Sequence, residues 1–278
     1  MKSELYEENY QDPRYFSFGQ NWKKFLEHLS DEQIREAELS LETFLGGREA
    51  IAGKTFVDIG CGSGLFSLAA YRLGAKEIVS VDIDEASVWC AKKLHAKAGS
   101  PLHWKILTGS ALDKNFIDTL GKFDVVYSWG VLHHTGNMKE ALKNVRDLSL
   151  PEGKLYIALY NKNTHLLEGT SPFWHRIKRA YNKSPQRWKR ILETLYADYI
   201  LLGLLLHGQN PFRYVTEYKS LRGMDFFTDI RDWLGGYPYE YAPADEIISS
   251  FAENGFLCLR LNPARSIGCN EFLFFKNT

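Results

Sequence analysis

The stretch that decides the fold is Val57-Asp-Ile-Gly-Cys-Gly-Ser-Gly64. A short apolar run beginning at Lys54 ends in this glycine-rich turn, and Leu65 to Leu73 then has helical spacing. The glycines at 60, 62 and 64 let the backbone turn sharply and pass close to a ligand. The start of the following helix offers unpaired amides to a carboxylate or phosphate. The segment therefore predicts a strand, a ligand-binding turn and a helix.

The sequence around this unit alternates between apolar runs and helical spacing. Further strands are predicted at 77–82, 102–107, 123–128 and 154–159, with helices at 85–98 and 138–148. Such alternation implies parallel crossovers and a sheet covered on both faces. The last two predicted strands, 256–261 and 271–275, are joined by a loop too short for a helical crossover, so they should pair antiparallel.

The chain is predicted to have three parts. Residues 1–50 form an N-terminal helical extension covering the cofactor, in which Ser30-Asp-Glu-Gln33 is a capping box. Residues 51–160 and 243–278 form the α/β core. Residues 161–242, where the alternation stops, form a mostly helical insertion that serves as a lid over the substrate. Its helices are predicted at 173–181 and 188–206, the second ended by Pro211.

Composition narrows the function classes. The 278 residues carry 34 basic and 34 acidic side chains, and this zero net charge argues against non-specific nucleic-acid binding. The four cysteines lack CxxC spacing and paired histidines, so no metal site is expected. The N-terminus has no signal-peptide pattern, and the longest apolar stretch, 191–206, is too short to span a membrane. A soluble cytoplasmic protein is expected.

Two carboxylates narrow the choice of cofactor. Asp82, eighteen residues after Gly64, ends the second strand, where it can accept both hydroxyls of an adenosine ribose. Asp58 lies just before the turn, where it would repel a pyrophosphate but suit a cationic ligand. The G-x-G-x-G spacing and the antiparallel edge also differ from dinucleotide-binding folds. An NAD-dependent dehydrogenase is therefore the weaker alternative.

Four segments in order resemble the motifs of class I S-adenosylmethionine-dependent methyltransferases: 57–64, 81–84, 109–113 and 123–128. The resemblance implies a doubly wound seven-stranded sheet of order 3-2-1-4-5-7-6 with strand 7 antiparallel. The cofactor would be S-adenosyl-L-methionine, with S-adenosyl-L-homocysteine as product. The implied cofactor contacts are Asp58, Gly60, Cys61, Gly62, Gly64, Asp82, Ile83, Ser110, Ala111, Ser128 and Trp129.

A segment upstream of the core adds to this resemblance. Phe16-Ser-Phe-Gly-Gln-Asn-Trp22 resembles the N-terminal arm that closes over the cofactor in ubiquinone-type and related small-molecule methyltransferases. The resemblance implies that Trp22 helps to seal the cofactor site. A surface helix start with an anchoring tryptophan is the alternative.

The loop after the fourth strand is Trp129-Gly-Val-Leu-His-His-Thr-Gly-Asn137. It resembles the Leu-His-His or Leu-Glu-His loop of small-molecule methyltransferases, including quinol methylases. His133 or His134 could act as a general base. The alternative is that both histidines fix the loop by hydrogen bonds. His133 replaces a glutamate that helps to bind metal in some quinol methylases, so that metal site is not carried over.

The insertion supplies the candidate substrate contacts. The stretch from Arg222 to Glu240, together with Gly268-Cys-Asn-Glu271, resembles bacterial benzoquinol-methylase-like small-molecule methyltransferases. The candidates are Tyr160, Asn161, Arg222, Asp229, Asp232, Tyr237, Tyr239 and Asn270. For each of them, a structural role in a cap or loop is the alternative.

The insertion also contains seven basic residues between Glu168 and Glu193. They favour either a solvated helix face or a helix, 173–190, that contacts an anionic membrane or RNA. The apolar helix that follows could line the pocket or form a homodimer interface.

These observations favour a methyltransferase that acts on a small, partly apolar metabolite. The aromatic-rich insertion favours a quinol- or phenol-like acceptor and O-methylation. An RNA methyltransferase and a non-catalytic S-adenosylmethionine-binding protein are the alternatives. Neutral charge and the absence of an added RNA-binding module argue against the first of these.

Overall fold

A computed structural model describes residues 18–165, 169–222, 225–264 and 267–277. Seven strands form one sheet in the order β3-β2-β1-β4-β5-β7-β6. Strands β1 to β5 are parallel, and β7 pairs antiparallel with both β5 and β6. This confirms the predicted fold. The strands are β1 Thr55–Ile59, β2 Glu77–Asp82, β3 Trp104–Thr108, β4 Phe123–Trp129, β5 Ser149–Tyr160, β6 Phe256–Asn262 and β7 Cys269–Lys276.

Helices cover the sheet and form the insertion. They are α1 Gly19–Glu27, α2 Asp31–Leu45, α3 Leu65–Arg72, α4 Glu85–Lys97, α5 Lys114–Thr119, α6 Met138–Arg146, α7 Ser171–Lys183, α8 Gln186–Leu206, α9 Pro211–Arg222, α10 Phe226–Gly235 and α11 Ala244–Ala252. The Ser30 hydroxyl and the Gln33 side chain form the capping box that starts α2. Gly46 ends that helix in the left-handed region at φ +93°.

The sheet has a buried apolar layer on each face. On one face Val57, Val126 and Leu155 pack with side chains of α6 and α11. On the other, Phe56 and Tyr127 pack beneath α2 and α3. The insertion has its own cluster, which includes Trp174, Tyr181, Phe226 and Ile230. The insertion therefore has an apolar centre of its own above the sheet.

Two local predictions were wrong. Pro211 does not simply end a helix, because it begins α9 at a position where a missing amide costs nothing. The strand predicted at 154–159 instead begins at Ser149 and runs to Tyr160 as β5. There the β4–β5 register shifts between Phe123 and Val125, so the extra residues are absorbed as an irregularity within the strand.

The carboxyl ends of the parallel strands lie at one edge of the sheet. The loops after β1, β2 and β4 meet there, and α1 and the insertion lie over them. Within the described residues, no helix is long and apolar enough to cross a membrane.

Candidate functional site

A cleft of about 1330 Å³ opens at the carboxyl ends of the strands. Small-molecule sites usually occupy ~300–1,000 Å³. The cleft therefore has room for two ligands side by side. One half is lined by the loops after β1, β2 and β3, and the other by the β4 loop and the insertion.

The glycine turn forms the floor of the first half. Gly60 and Gly62 adopt φ +78° and +53°, a region that side chains disfavour. A Cβ on Gly60 would lie 2.3 Å from a side-chain carbon of Val131, and one on Gly62 would lie 2.8 Å from the Trp22 indole. Glycine is thus required at both positions, because the β4 loop and the N-terminal helix close against the turn.

Asp82 ties this turn to the end of β2. Its carboxylate accepts hydrogen bonds from the backbone amides of Gly62 at 2.8 Å and Asp84 at 2.9 Å. Burial outweighs these bonds and raises the pKa of Asp82 to about 6. Ile83, next in sequence, also lines the cleft. Each Asp82 oxygen keeps a lone pair with which to accept a ligand hydroxyl.

Asp58 is held by a chain of buried hydrogen bonds that crosses the sheet. The Trp104 indole donates to the Ser80 hydroxyl at 2.8 Å, Ser80 donates to Ser67 at 2.7 Å, and Ser67 donates to Asp58 at 2.6 Å. Burial raises the pKa of Asp58 to about 7, although the Ser67 bond opposes this shift. These hydrogen bonds hold the Asp58 carboxylate in place. A bound cationic ligand would favour its ionised form.

The segment after β3 forms the third wall. Ser110 and Ala111 line the cleft. The backbone carbonyl of Ala111 accepts a hydrogen bond from the buried Asn144 amide at 2.9 Å, and the Gly109 amide donates to the Asp82 carbonyl at 3.0 Å. These bonds hold the wall against α6 and β2.

The N-terminal helix closes over the first half of the cleft. The Gly19 amide donates to the Asp84 carboxylate at 2.9 Å, and Trp22 lies against Gly62. The Phe18 ring lies beside that of His134, tilted by 47° with ring centroids 5.1 Å apart. Gln20 is exposed, and residues 16 and 17 of the predicted arm lie outside the described residues. Trp22 therefore lies above the glycine turn, and its role in sealing the cofactor site stays a prediction.

The insertion builds the second half largely from aromatic rings. Two carboxylates of α10 also line it, Asp229 and Asp232. The ring-bearing residues are Tyr160, Tyr196, Tyr214, Tyr218, Phe226, Trp233 and Tyr237. No lysine or arginine is among the described residues that line the cleft. This half suits a partly apolar ligand that is not an anion.

Known proteins share this architecture. A family profile described as a methyltransferase domain matches residues 57–157. A ubiquinone biosynthesis O-methyltransferase from Caulobacter vibrioides is 27% identical over 176 residues, which cover 63% of this chain and 68% of that protein. The corresponding protein of Pseudomonas paraeruginosa is 28% identical over 190 residues, covering 68% and 70%.

Solved structures agree at the level of the fold. Magnesium protoporphyrin IX methyltransferase from Synechocystis aligns with a TM-score of 0.55 at 16% identity, covering 94% of this chain and 95% of that one. The chain carries a methyltransferase domain and has the fold of the class I S-adenosylmethionine-dependent methyltransferases. An O-methyltransferase family protein from Burkholderia thailandensis aligns with a TM-score of 0.53 at 13% identity, covering 89% and 58%.

The cofactor of this methyltransferase is S-adenosylmethionine, and the first half of the cleft fits it. The phenol hydroxyl of Tyr127, opposite Asp58 on the neighbouring strand, is buried without a hydrogen-bond partner in the described part of the chain. Together with the two carboxylates and the glycine cradle, it leaves polar groups that a bound ligand can satisfy. We propose that Asp58 and the glycine turn hold the methionine end and that Asp82 holds the ribose.

The remaining residues predicted for the cofactor divide into two groups. Cys61, with Gly60 and Gly62, lines the cleft, as does Trp129 after β4. Two residues need correction. Ser128 is fully buried and donates to the Ile59 carbonyl at 2.8 Å, so it joins β4 to β1 instead of facing the cleft. Gly64 does not line the cleft, because a Cβ there would meet the Ala91 backbone of α4 at 2.9 Å.

Both histidines of the β4 loop border the cleft, but each is engaged by the backbone. His133 is buried, and its Nδ1 accepts from the Tyr160 amide at 3.2 Å, so its neutral ring carries the proton on Nε2. His134 Nδ1 donates to the Pro238 carbonyl at 2.7 Å. Burial lowers the pKa of His133 well below its usual range and that of His134 to about 3. Both rings are therefore neutral, and His134 is a weak base.

The predicted substrate contacts are only partly brought together. Tyr160, Asp229, Asp232 and Tyr237 line the second half of the cleft. Asn161 and Asn270 instead hydrogen-bond each other at 3.2 Å beside β5 and β7, and Tyr239 is buried within the insertion's apolar cluster. These three are corrected to structural roles, because their side chains are satisfied or packed away from the cleft. The Arg222 side chain lies outside the described residues.

Lys178 is a residue whose position the sequence analysis missed. We counted it with the basic face of the insertion, but it is fully buried. Its ammonium donates to the Trp233 carbonyl and lies 3.7 Å from the centre of the Trp233 ring. Burial lowers its pKa well below the usual range. Helical spacing could have revealed this, since Trp174, Lys178 and Tyr181 share one face.

The rest of the basic stretch is largely exposed. Arg176, Arg179 and Arg187 face solvent, and α8 continues with exposed apolar side chains such as Leu195 and Leu202. The membrane contact and the homodimer stay predictions.

The hydrogen bonds that hold Asp58 lead to a prediction about cofactor affinity. Ser67→Ala removes the Oγ–H donor to Asp58, which raises the pKa of that carboxyl further above 7. At neutral pH more of it is then protonated, and the cationic methionine end binds more weakly. Hydrogen bonds to charged groups contribute ~1.5–3 kcal/mol, so we expect a loss of at least about 10-fold, measured by calorimetric titration with S-adenosylhomocysteine.

The pH dependence of cofactor affinity tests whether protonation of Asp58 causes this loss. In the wild type, affinity should fall as pH drops through about 7, where Asp58 takes up a proton. In Ser67→Ala the fall should begin at higher pH. Ser249→Ala, on the exposed face of α11, is the matched control and should leave affinity unchanged. An unshifted pH profile in Ser67→Ala would show that Asp58 does not face the cationic end.

Proposed function

We propose that this methyltransferase transfers the methyl group to an oxygen of a small, partly apolar, quinol- or phenol-like acceptor. The observation that carries the proposal is the second half of the cleft, continuous with the cofactor half and walled by aromatic rings. Flat ring faces of this kind stack on an aromatic ligand with offset or edge-on geometry. The cleft therefore supports an aromatic acceptor placed beside the methyl donor.

The charges in the cleft support an acceptor that is not an anion. Asp58, Asp82, Asp84, Asp229 and Asp232 all line it, and the described lining residues include no lysine or arginine. A carboxylate or phosphate ester brought here would meet like charges without a partner, which costs several kcal/mol. A phenol, in contrast, can donate a hydrogen bond to a carboxylate.

The relatives support oxygen as the methylated atom. Several curated proteins of 27–28% identity are named ubiquinone biosynthesis O-methyltransferase. We infer O-methylation of a related class of acceptor.

The RNA methyltransferase alternative has less support. RNA binding depends on contacts between basic side chains and phosphates, and single-stranded bases also require an open, positively charged groove. The cleft instead combines carboxylates with a roof formed by α1 and the insertion. A non-catalytic binder is also less favoured, because the aromatic half would then lack a ligand.

The chain's contribution to the reaction is mainly alignment and exclusion of water. When bound, S-adenosylmethionine supplies a methyl group already activated by a cationic sulfur. The rings of the insertion fix the acceptor plane, and orientation of this kind lowers a barrier by up to ~7–11 kcal/mol. Phe18 and Trp22 on one side and Trp233 on the other cover the cleft, which reduces the solvation of the attacking oxygen.

The experiment is methyl transfer by the purified protein from S-adenosylmethionine labelled in the methyl group. We expect label in the organic extract with catechol or a prenylated hydroquinone, and mass spectrometry should place the methyl on oxygen. Total RNA and benzoic acid serve as comparison acceptors and should stay unlabelled.

Two results would contradict the proposal. Label in RNA, with retention on heparin at moderate salt, would favour the RNA alternative. Binding of S-adenosylhomocysteine without transfer to any phenol would leave the cofactor assignment intact but remove the proposed acceptor class.

A further inference from the structure

Asp232 lines the second half of the cleft. Its Oδ1 accepts a hydrogen bond from the Asn21 side-chain amide of the N-terminal helix. Its Oδ2 has no hydrogen-bond partner among the described residues, and the side chain lines the cleft. Asn21 thus fixes the carboxylate group while leaving one oxygen able to accept a proton.

The neighbouring carboxylate is less available. Asp229, one turn earlier on α10, accepts a hydrogen bond from the Tyr218 hydroxyl. Its Oδ2 is therefore already engaged in the wall of the cleft. Of the two acidic residues in this half, Asp232 is the one with an open oxygen.

The histidines are poor candidates for the base. His133 offers only an Nε2–H donor once Nδ1 accepts from the Tyr160 amide. His134 has a lone pair on Nε2, but with a pKa of about 3 it holds a proton weakly. A general base works best when its pKa lies near the working pH.

Burial and the neighbouring charges bring the pKa of Asp232 into that range. Burial is the main cause, and repulsion by Asp229 of the same helix and by Asp225 at its N-cap adds to it. The Asn21 hydrogen bond and Lys178 of α7 act in the opposite direction. Together they raise the pKa of Asp232 to about 7.

Trp233, the next residue of α10, carries an unpaired donor, because its indole N–H is buried and has no partner within the described ranges of the chain. Trp233 also lines the cleft. A second oxygen on the acceptor ring could satisfy that donor while the first meets Asp232.

We propose that Asp232 is the general base that takes the acceptor's hydroxyl proton, a role that rests on the proposed function. The proton moves from the acceptor oxygen to Oδ2 of Asp232. The oxygen lone pair forms the new O–CH₃ bond, and the S–CH₃ bond breaks with its electron pair remaining on sulfur. Asp232 then releases the proton to water.

The first test compares Asp232→Asn with the wild type on catechol. Asparagine keeps an oxygen that can accept from Asn21 but cannot take a proton. We expect kcat/KM to fall about 100-fold, within the ~10²–10⁴ range of general-base contributions. S-adenosylhomocysteine affinity should stay within about twofold, since the cofactor half is untouched. Asp198→Asn, an exposed carboxylate on α8, is the matched control and should behave as the wild type.

A more acidic phenol distinguishes a general base from a residue that only maintains the shape of the cleft. The nitro group makes 4-nitrocatechol a stronger acid than catechol, so its neutral form gives up the hydroxyl proton with less help from a base. Asp232→Asn should therefore lose less than about 10-fold on 4-nitrocatechol. An equal loss on both phenols would overturn the base role, because a distorted cleft affects both alike.

The pH profile provides a test that does not need Asp232 to be replaced. In the wild type, kcat/KM for catechol should fall as pH drops through about 7, because protonated Asp232 cannot accept a second proton. Asn21→Ala removes a bond that stabilises the ionised carboxylate, so this fall should move to higher pH. An unmoved profile in Asn21→Ala would overturn the assignment. Failure of the wild type on every phenol would instead overturn the proposed function, and this role with it.

Discussion

Gly60→Ala is expected to lower S-adenosylhomocysteine affinity by about 100-fold. The added Cβ would lie 2.3 Å from Val131 Cγ1 and 2.8 Å from Val131 Cβ, so rotating the valine side chain cannot relieve the contact. The φ of +78° adds strain of ~1–3 kcal/mol. The structure can respond only by moving the glycine turn or the β4 loop. Either movement displaces groups that line the cofactor half.

Gly99→Ala is the matched control for this substitution. Gly99 also has a positive φ, +88°, but a Cβ there would meet no atom within 4 Å. It should cost ~1–2 kcal/mol of stability from backbone strain alone and leave cofactor affinity unchanged. Calorimetric titration and chemical unfolding of both variants separate the two effects. Equal cofactor affinity in the two variants would show that the approach of Val131 to the turn is not needed for binding.

The cofactor half could be predicted from the sequence because its determinants are local. Gly60, Gly62 and Asp58 belong to one strand and turn, and Asp82 ends the next strand. A regular sheet order then places these neighbours at one edge. The error at Ser128 has a simple cause. The sequence gives its position at the end of β4 but not that its hydroxyl bonds back to β1.

The second half of the cleft, where we place the acceptor, was harder to predict because it depends on contacts between distant parts of the chain. Asp232 is held by Asn21, 211 residues earlier, and no pattern within either helix announces that pair. The series of hydrogen bonds that holds Asp58 joins Ser67, Ser80 and Trp104, which belong to three separate elements. A polar residue inside an otherwise apolar strand, such as Ser80, is the one signal that was present.

A substitution of Lys178 tests the stability of the insertion separately from that of the sheet. Lys178→Glu would place a carboxylate at the Trp233 carbonyl, against ring faces that repel anions, and in the field of Asp232. A buried charge without a partner destabilises by ~3–5 kcal/mol. Since the insertion has its own apolar cluster, we expect this loss to open the insertion to protease while the sheet stays folded.

Two further variants identify the cause of that loss. Arg179→Glu reverses the charge of the exposed neighbour and should change the free energy of unfolding by less than ~0.5 kcal/mol. Lys178→Met keeps most of the length of the side chain without its charge. Its free energy of unfolding should stay within ~1–2 kcal/mol of the wild type, because the desolvation cost that it removes offsets the lost bond to Trp233. Chemical unfolding followed by tryptophan fluorescence, with protease cleavage mapped within residues 169–222 and 225–240, measures all three. Stability of Lys178→Glu equal to that of Arg179→Glu would mean that the ammonium lies in solvent. A large loss in Lys178→Met as well would mean that the bond to the Trp233 carbonyl, and not burial of the charge, governs the insertion.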